Sequence, residues 1–94
     1  MMEKHLEQYL AQQAKKAGGM CLKWQNLNVR GIPDRLLFLP GGRMAIIETK
    51  FGQGGLRPGQ KVMIKKLEEL GFKVWVPRSR DEIDEIIEKT KNGG

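Results

Sequence analysis

Apolar and polar residues alternate along the chain with two different periods, and the change of period separates helices from strands. Between residues 3 and 17 the apolar side chains recur every three or four positions, which predicts an amphipathic helix. The same spacing returns over residues 58–70 and 80–91, where we expect two further helices. Strict alternation over residues 20–25 predicts a strand instead, because every second side chain then lies on one apolar face.

Two apolar segments joined by a tight turn predict a hairpin in the middle of the chain. The segments are residues 34–39 and 43–50, and the turn is the Pro-Gly-Gly sequence at residues 40–42. Residues 72–76 predict a fourth strand, which follows a helix and should therefore lie parallel to the third. We expect one domain over residues 1–94, an α/β fold in the order αβββαβα, with a mixed four-stranded sheet flanked by helices.

Composition narrows the class of protein. Hydrophobic residues make up 39% and charged residues 30% of the chain, which is ordinary for a globular domain. We expect neither a transmembrane helix nor a signal peptide, because no apolar run is long enough and residues 1–10 are polar. The single cysteine, Cys21, excludes an internal disulfide and a cysteine-rich zinc site, and it is consistent with a reducing cytosol.

The charge is positive and unevenly distributed. The net charge is +6, and residues 1–80 carry 15 basic and 6 acidic side chains, a balance of +9. The positive charge of residues 1–80 favours a polyanionic partner such as nucleic acid. On charge alone, a generally basic surface explains this positive charge equally well. The basic residues that we expect to contact phosphates are Lys23, Arg30, Arg35, Arg57 and Lys61.

Three residues with the potential for chemistry converge on one end of the predicted hairpin. Asp34 opens one arm, and Glu48 and Lys50 lie near the end of the other, on one face of the strand. Two adjacent carboxylates are costly without a cation, and Mg²⁺ prefers oxygen ligands. Singly, each residue is more often part of a turn or a solvated strand edge. Together, beside a glycine-rich loop, they favour phosphodiester hydrolysis, with a lysine that stabilises developing negative charge.

A wider motif surrounds these residues. The segment Gly31-Ile32-Pro33-Asp34, followed after thirteen residues by Glu48-Thr49-Lys50, resembles the PD-(D/E)xK nuclease signature. More narrowly, the chain resembles a phage-type virus-type replication-repair nuclease (VRR-NUC) domain, from Glu3 to the strand at residues 72–76. The Leu-Pro-Gly-Gly-Arg turn and a glutamine early in the following helix add to this resemblance. It implies a restriction-endonuclease-like core.

The resemblance also implies which residues bind a metal ion. Asp34 and Glu48 would be ligands of Mg²⁺ or Mn²⁺. A glutamate on the first helix would complete the site, directly or through water. Glu3 is the first choice for that carboxylate, and Glu7, one helical turn later, stays open as the alternative.

Two further residues take roles from the same resemblance. Lys50 would be the catalytic lysine, and Gln60 would face the site and bind water or phosphate. The chain departs from the pattern at Thr49, where Val or Leu is commoner. Because threonine is also β-branched, the strand assignment is not affected.

The function implied is that of a Mg²⁺- or Mn²⁺-dependent endonuclease that cuts branched or Holliday-junction-like DNA in the cytoplasm of a bacterium or during phage growth. A homodimer would supply two opposed cuts. One alternative is a non-catalytic nucleic-acid-binding module of the same fold, which the basic charge supports equally well. Another is a restriction-type nuclease, although a chain of this length has no room for a base-reading domain.

Overall fold

A computed structural model of the protein describes the backbone of residues 3–93 and the side chains of residues 5–93. The expected order αβββαβα is confirmed. Its elements are α1 (Glu3–Lys16), β1 (Met20–Lys23), β2 (Arg35–Leu39), β3 (Arg43–Ile47), α2 (Pro58–Glu69), β4 (Val74–Trp75) and α3 (Arg80–Lys91). No helix in the described part of the chain is long and apolar enough to cross a membrane.

The four strands form one mixed sheet in the order β1-β2-β3-β4. The first three strands are antiparallel neighbours, and β3 and β4 are parallel, as the intervening helix predicted. In the central hairpin Arg35 lies opposite Ile47, and Leu39 lies opposite Arg43. The turn between the arms has Gly41 and Gly42 with positive φ, a conformation that glycine adopts without steric cost.

The hydrophobic core lies between one face of the sheet and the helices α1 and α3. Leu6 and Leu10 of α1 and Ile83 of α3 are fully buried there, as are Leu37 and Ile47 from the central strands. Removing one such side chain from water contributes roughly 1.5–3 kcal/mol. The helical three- and four-residue spacing seen in the sequence therefore reports this packing, because it places the apolar side chains on the face toward the sheet.

The strands are shorter than the sequence predicted. The ladder of β4 with β3 covers only Val74 and Trp75, although the amides of Glu48 and Lys50 still donate to the carbonyls of Trp75 and Pro77. Pro77 has no amide hydrogen, so a regular ladder cannot continue past it. As a result β3 ends at Ile47, and Glu48 and Lys50 lie on an extension that β4 still holds in place.

Candidate active site

Asp34 and Glu48 lie at the same end of the central hairpin. Each is the next residue outward from a cross-strand pair, because Arg35 faces Ile47 in the register. Glu48 is buried, and Asp34 is half-buried. The tight turn at the other end of the hairpin is what sets this register, so two residues that are distant in sequence arrive side by side.

Thr49 holds the Asp34 carboxylate with two hydrogen bonds. The Thr49 amide donates to Oδ1 over 3.2 Å, and the Thr49 hydroxyl donates to Oδ2 over 2.9 Å. Thr49 is fully buried. In the sequence Thr49 is recognisable only as a strand-forming residue, and the one signal of this contact is a hydroxyl at a position where Val or Leu is commoner.

The carboxylate of Glu7 on α1 approaches the same threonine. Its Oε2 lies 3.5 Å from the Thr49 hydroxyl, and its Oε1 lies 2.9 Å from Nη2 of Arg35. Arg35 was expected to contact phosphate, but its guanidinium is instead largely buried in this ion pair, with 19% of the side chain exposed. The side chain of Glu3, the first choice for the helix carboxylate, lies outside the described residues.

The surroundings of Asp34 disfavour its charged form. Burial raises the pKa of this carboxyl, and the nearby negative charge of Glu7 raises it further. The two hydrogen bonds from Thr49 and the positive charge of Arg35 act in the opposite direction without cancelling the effect on the pKa. A carboxylate in such a position is stabilised by an added cation.

The donor set fits a hard divalent ion that keeps part of its water shell. Asp34 and Glu48 offer carboxylate oxygens, which Mg²⁺ and Mn²⁺ prefer. Among the side chains of residues 5–93, no group of three or more His, Cys, Asp and Glu is arranged to enclose a metal. An open site of one or two carboxylates is the usual arrangement for Mg²⁺, because that ion loses water reluctantly and completes its shell with substrate phosphate.

Glu48 interacts with two further side chains that the sequence singled out. The side-chain amide of Gln60 donates to Glu48 Oε2 over 3.1 Å, and Nζ of Lys50 lies 3.8 Å from the same oxygen. Gln60 is buried, and its own side-chain oxygen accepts a hydrogen bond from the Arg57 amide at the start of α2. Lys50 is therefore close enough to act on a phosphate bound near Glu48.

The remaining basic candidates lie on the surface. Arg30 and Arg57 line a pocket next to Gln60, and both are exposed. Lys23 ends β1, and Lys61 is exposed in the first half of α2. Five residues were expected to contact phosphates. Within the described residues Arg35 is in an ion pair, and the other four are not.

Comparisons with known proteins show the family of this chain. No family model matches the sequence. The chain is 34% identical over 85 residues to "Putative nuclease p44" of Acyrthosiphon pisum secondary endosymbiont phage 1, an alignment that covers 84% of this chain and 85% of the relative. It is also similar to a solved structure described as "VRR_NUC domain", with a TM-score of 0.84, 26% identity, and coverage of 92% of this chain and 94% of the other. The chain therefore belongs to the VRR-NUC family of nucleases.

Proposed function

We propose that this nuclease hydrolyses phosphodiester bonds in DNA with the help of Mg²⁺ or Mn²⁺ bound by Asp34 and Glu48. The observation that supports the proposal is the strand register, which brings Asp34 and Glu48 to the same end of the hairpin, together with Lys50 Nζ 3.8 Å from Glu48. When bound there, a divalent cation activates a water molecule and stabilises the departing oxygen. The carboxylates orient that ion, and their burial strengthens its electrostatic effect.

Two further side chains would assist the reaction, one by acting on the phosphate and one by orienting a metal ligand. Lys50 carries a positive charge next to Glu48, where it can hold the attacking water or stabilise the negative charge of the transition state. Gln60 restricts Glu48 to one orientation through its amide. In this proposal Gln60 positions a metal ligand, whereas the family resemblance implied that it binds water or phosphate.

Glu7 is our choice for the carboxylate that α1 contributes. It lies 3.5 Å from the hydroxyl that also binds Asp34, so it belongs to the same network. Glu3 remains the alternative, four residues earlier on the same helix. Glu7 would act on the metal through water, since its carboxylate contacts Thr49 and Arg35.

We further propose that the enzyme cuts branched DNA as a homodimer. Two opposed cuts in a junction require two active sites related by a two-fold axis. The sheet face opposite the core supports this assembly, because Met20, Leu22 and Met44 are each about half exposed on it. Adjacent exposed apolar side chains favour a protein interface, and a second copy of the chain would cover them.

The proposal is tested by incubating the protein with flaps, forks, four-way junctions and linear duplexes in Mg²⁺, Mn²⁺ or EDTA. We expect cleavage that requires metal and is fastest on the branched substrates. Asp34→Ala should abolish both cleavage and metal binding. Lys50→Ala should abolish cleavage while metal binding and folding persist. Normal cleavage by Asp34→Ala would exclude the proposed site.

The same experiment separates the alternatives. The net charge of +6 also favours a binding module. Such a module would bind branched DNA but would not cut it, whichever metal ion is added. Cuts at one short fixed sequence would indicate a restriction-type enzyme. Analytical ultracentrifugation tests the dimer, and Met20→Lys combined with Met44→Lys should yield a monomer if the sheet face forms the interface.

A further inference from the structure

A pocket of about 440 Å³ is lined by Gln60, the side chain that binds Glu48, and by two arginines that have no role in the chemistry described above. Its walls come from two segments that are distant in sequence. Arg30, Gly31 and Ile32 belong to the loop before Asp34, and Arg57, Gly59 and Gln60 belong to the start of α2. The loop of one wall leads directly into the hairpin, so the pocket is attached to the rigid part of the sheet.

The two walls touch at a pair of glycines. Gly31 has a φ of +79°, and a side chain there would collide with the carbonyl group of Gly59. Glycine at position 31 therefore permits both the backbone conformation and the close approach of the two segments. This contact brings the two segments together, and Arg30 and Arg57 both line the same pocket.

The residues that line the pocket include two arginines and no acidic residue. Arg30 and Arg57 are exposed, and within residues 5–93 neither guanidinium is in an ion pair, in contrast to Arg35 and Lys50. The first turn of α2 contains no acidic residue. Guanidinium groups bind phosphate oxygens through paired, charge-assisted hydrogen bonds, so the chemistry that fits this recess is that of a phosphate group.

One side chain connects the pocket to the catalytic carboxylate. Gln60 lines the pocket, its oxygen accepts from the Arg57 amide over 2.9 Å, and its amide donates to Glu48 over 3.1 Å. A group bound between Arg30 and Arg57 would therefore be held at a fixed position relative to Glu48. Such a connection suits a site that determines which phosphate of a bound nucleic-acid strand lies next to Glu48.

We propose that the pocket between Arg30 and Arg57 binds an internal phosphodiester of the nucleic-acid strand, next to the one that is cut. The role of this phosphate in positioning the strand rests on the nuclease function proposed above. The binding of the phosphate to the pocket does not depend on that function, because the two arginines bind it without a metal ion. The pocket thereby assigns to Arg30 and Arg57 a joint role that is distinct from general attraction of DNA by the basic surface.

The test measures binding of a short DNA duplex to the full chain in EDTA, where no cleavage occurs, at a series of NaCl concentrations. We expect Arg30→Gln and Arg57→Gln each to reduce the slope of log affinity against log salt, and the double variant to reduce it by about one unit in total, because the two arginines bind one phosphate. Lys16→Gln is the matched control. It removes one charge from the exposed end of α1, next to the glycines that approach the hairpin turn, and it should leave the slope unchanged.

Several results would contradict the proposal that this pocket binds a phosphodiester. Wild-type slopes and affinities in both arginine variants would exclude it, as would an equal loss in Lys16→Gln. The source of the phosphate is tested with duplexes that carry or lack a 5′-phosphate. An effect of the arginines that appears only with the terminal phosphate would overturn the assignment to an internal phosphodiester. Failure of the wild-type protein to cut DNA in metal, with the slopes reduced as expected, would remove the nuclease proposal and leave the pocket standing.

Discussion

The hydroxyl of Thr49 donates a hydrogen bond of 2.9 Å to Oδ2 of Asp34, and the amide of the same threonine donates one of 3.2 Å to Oδ1. The residue between Glu48 and Lys50 therefore orients the aspartate on the neighbouring strand. Both oxygens of Asp34 are engaged, so its rotation is restricted before any ligand binds. The two halves of the motif, separated by thirteen residues, are joined through this one side chain.

Thr49→Val should weaken metal binding about 10–100-fold, because a ligand loses the partner that orients it. Valine keeps the shape and the β-branched strand preference, so a loss of metal affinity reports the missing hydroxyl. Thr49→Ser keeps the hydroxyl and should restore most of the affinity. Isothermal titration with Mn²⁺ measures this directly and needs no substrate. Equal affinities in the wild-type and valine proteins would show that Thr49 has no positioning role.

Gln60→Leu should destabilise the fold and reduce cleavage. The substitution removes the amide that donates to Glu48 and leaves the Arg57 amide without its acceptor. The loss of one buried hydrogen-bonding partner costs about 1–3 kcal/mol in the free energy of unfolding. Urea denaturation measures the stability, and Gln12→Leu on the exposed side of α1 is the matched control. An unchanged stability would contradict the structural importance of the Gln60 contact.

Glu7→Gln should weaken Mn²⁺ binding, and Glu3→Gln should not. Glu7 contacts Thr49 and pairs with Arg35, so its negative charge belongs to the network around Asp34. The two variants remove the same charge one helical turn apart, which makes each the control of the other. The reverse result would assign the helix carboxylate to Glu3. Thermal melting of both variants separates a loss of metal binding from a loss of folding.

Arg78→Ala should loosen the glycine-rich loop that follows Lys50. The guanidinium of Arg78 donates to the carbonyls of Gly52 and Gly54, which ties this loop to the segment before α3. Hydrogen exchange of the amides in residues 51–57 should accelerate in the variant, since local opening becomes easier. Arg80→Ala is the control, because Arg80 stacks on Tyr9 instead of binding the loop. Identical loop exchange in both variants would refute the proposed tether.

Cys21 should react slowly with alkylating agents. Burial raises the pKa of its thiol from 9.0 to about 11. The thiolate is the reactive form, so a shift of two units lowers its fraction about a hundred-fold in the range below pH 9. The rate with iodoacetamide should keep rising above pH 9 and reach half of its maximum only near pH 11. Glutathione is the reference thiol, and a plateau at the same pH for both would contradict the raised pKa.

Much of the fold could be predicted because the spacing of apolar residues along the chain indicates which side chains are buried. Leu6 and Leu10 recur at helical spacing since both lie on the face of α1 that meets the sheet. The hairpin and the meeting of Asp34 with Glu48 followed from a tight turn, which leaves one register for its two arms. The predicted ends of the strands were less accurate. Pro77 interrupts the ladder of β4, and this depends on which residue lies beside it in space.

The pattern of residues determined the elements, their order and the end of the sheet at which Asp34 and Glu48 lie, because these follow from local spacing and short connections. Only the tertiary structure revealed that Thr49 binds Asp34, that Gln60 binds Glu48, and that Arg35 pairs with Glu7 instead of remaining available for phosphate. A side chain's charge or hydroxyl is visible in the sequence, but its partner is not. These contacts join residues 12 to 28 positions apart, and their geometry depends on how the helices pack against the completed sheet.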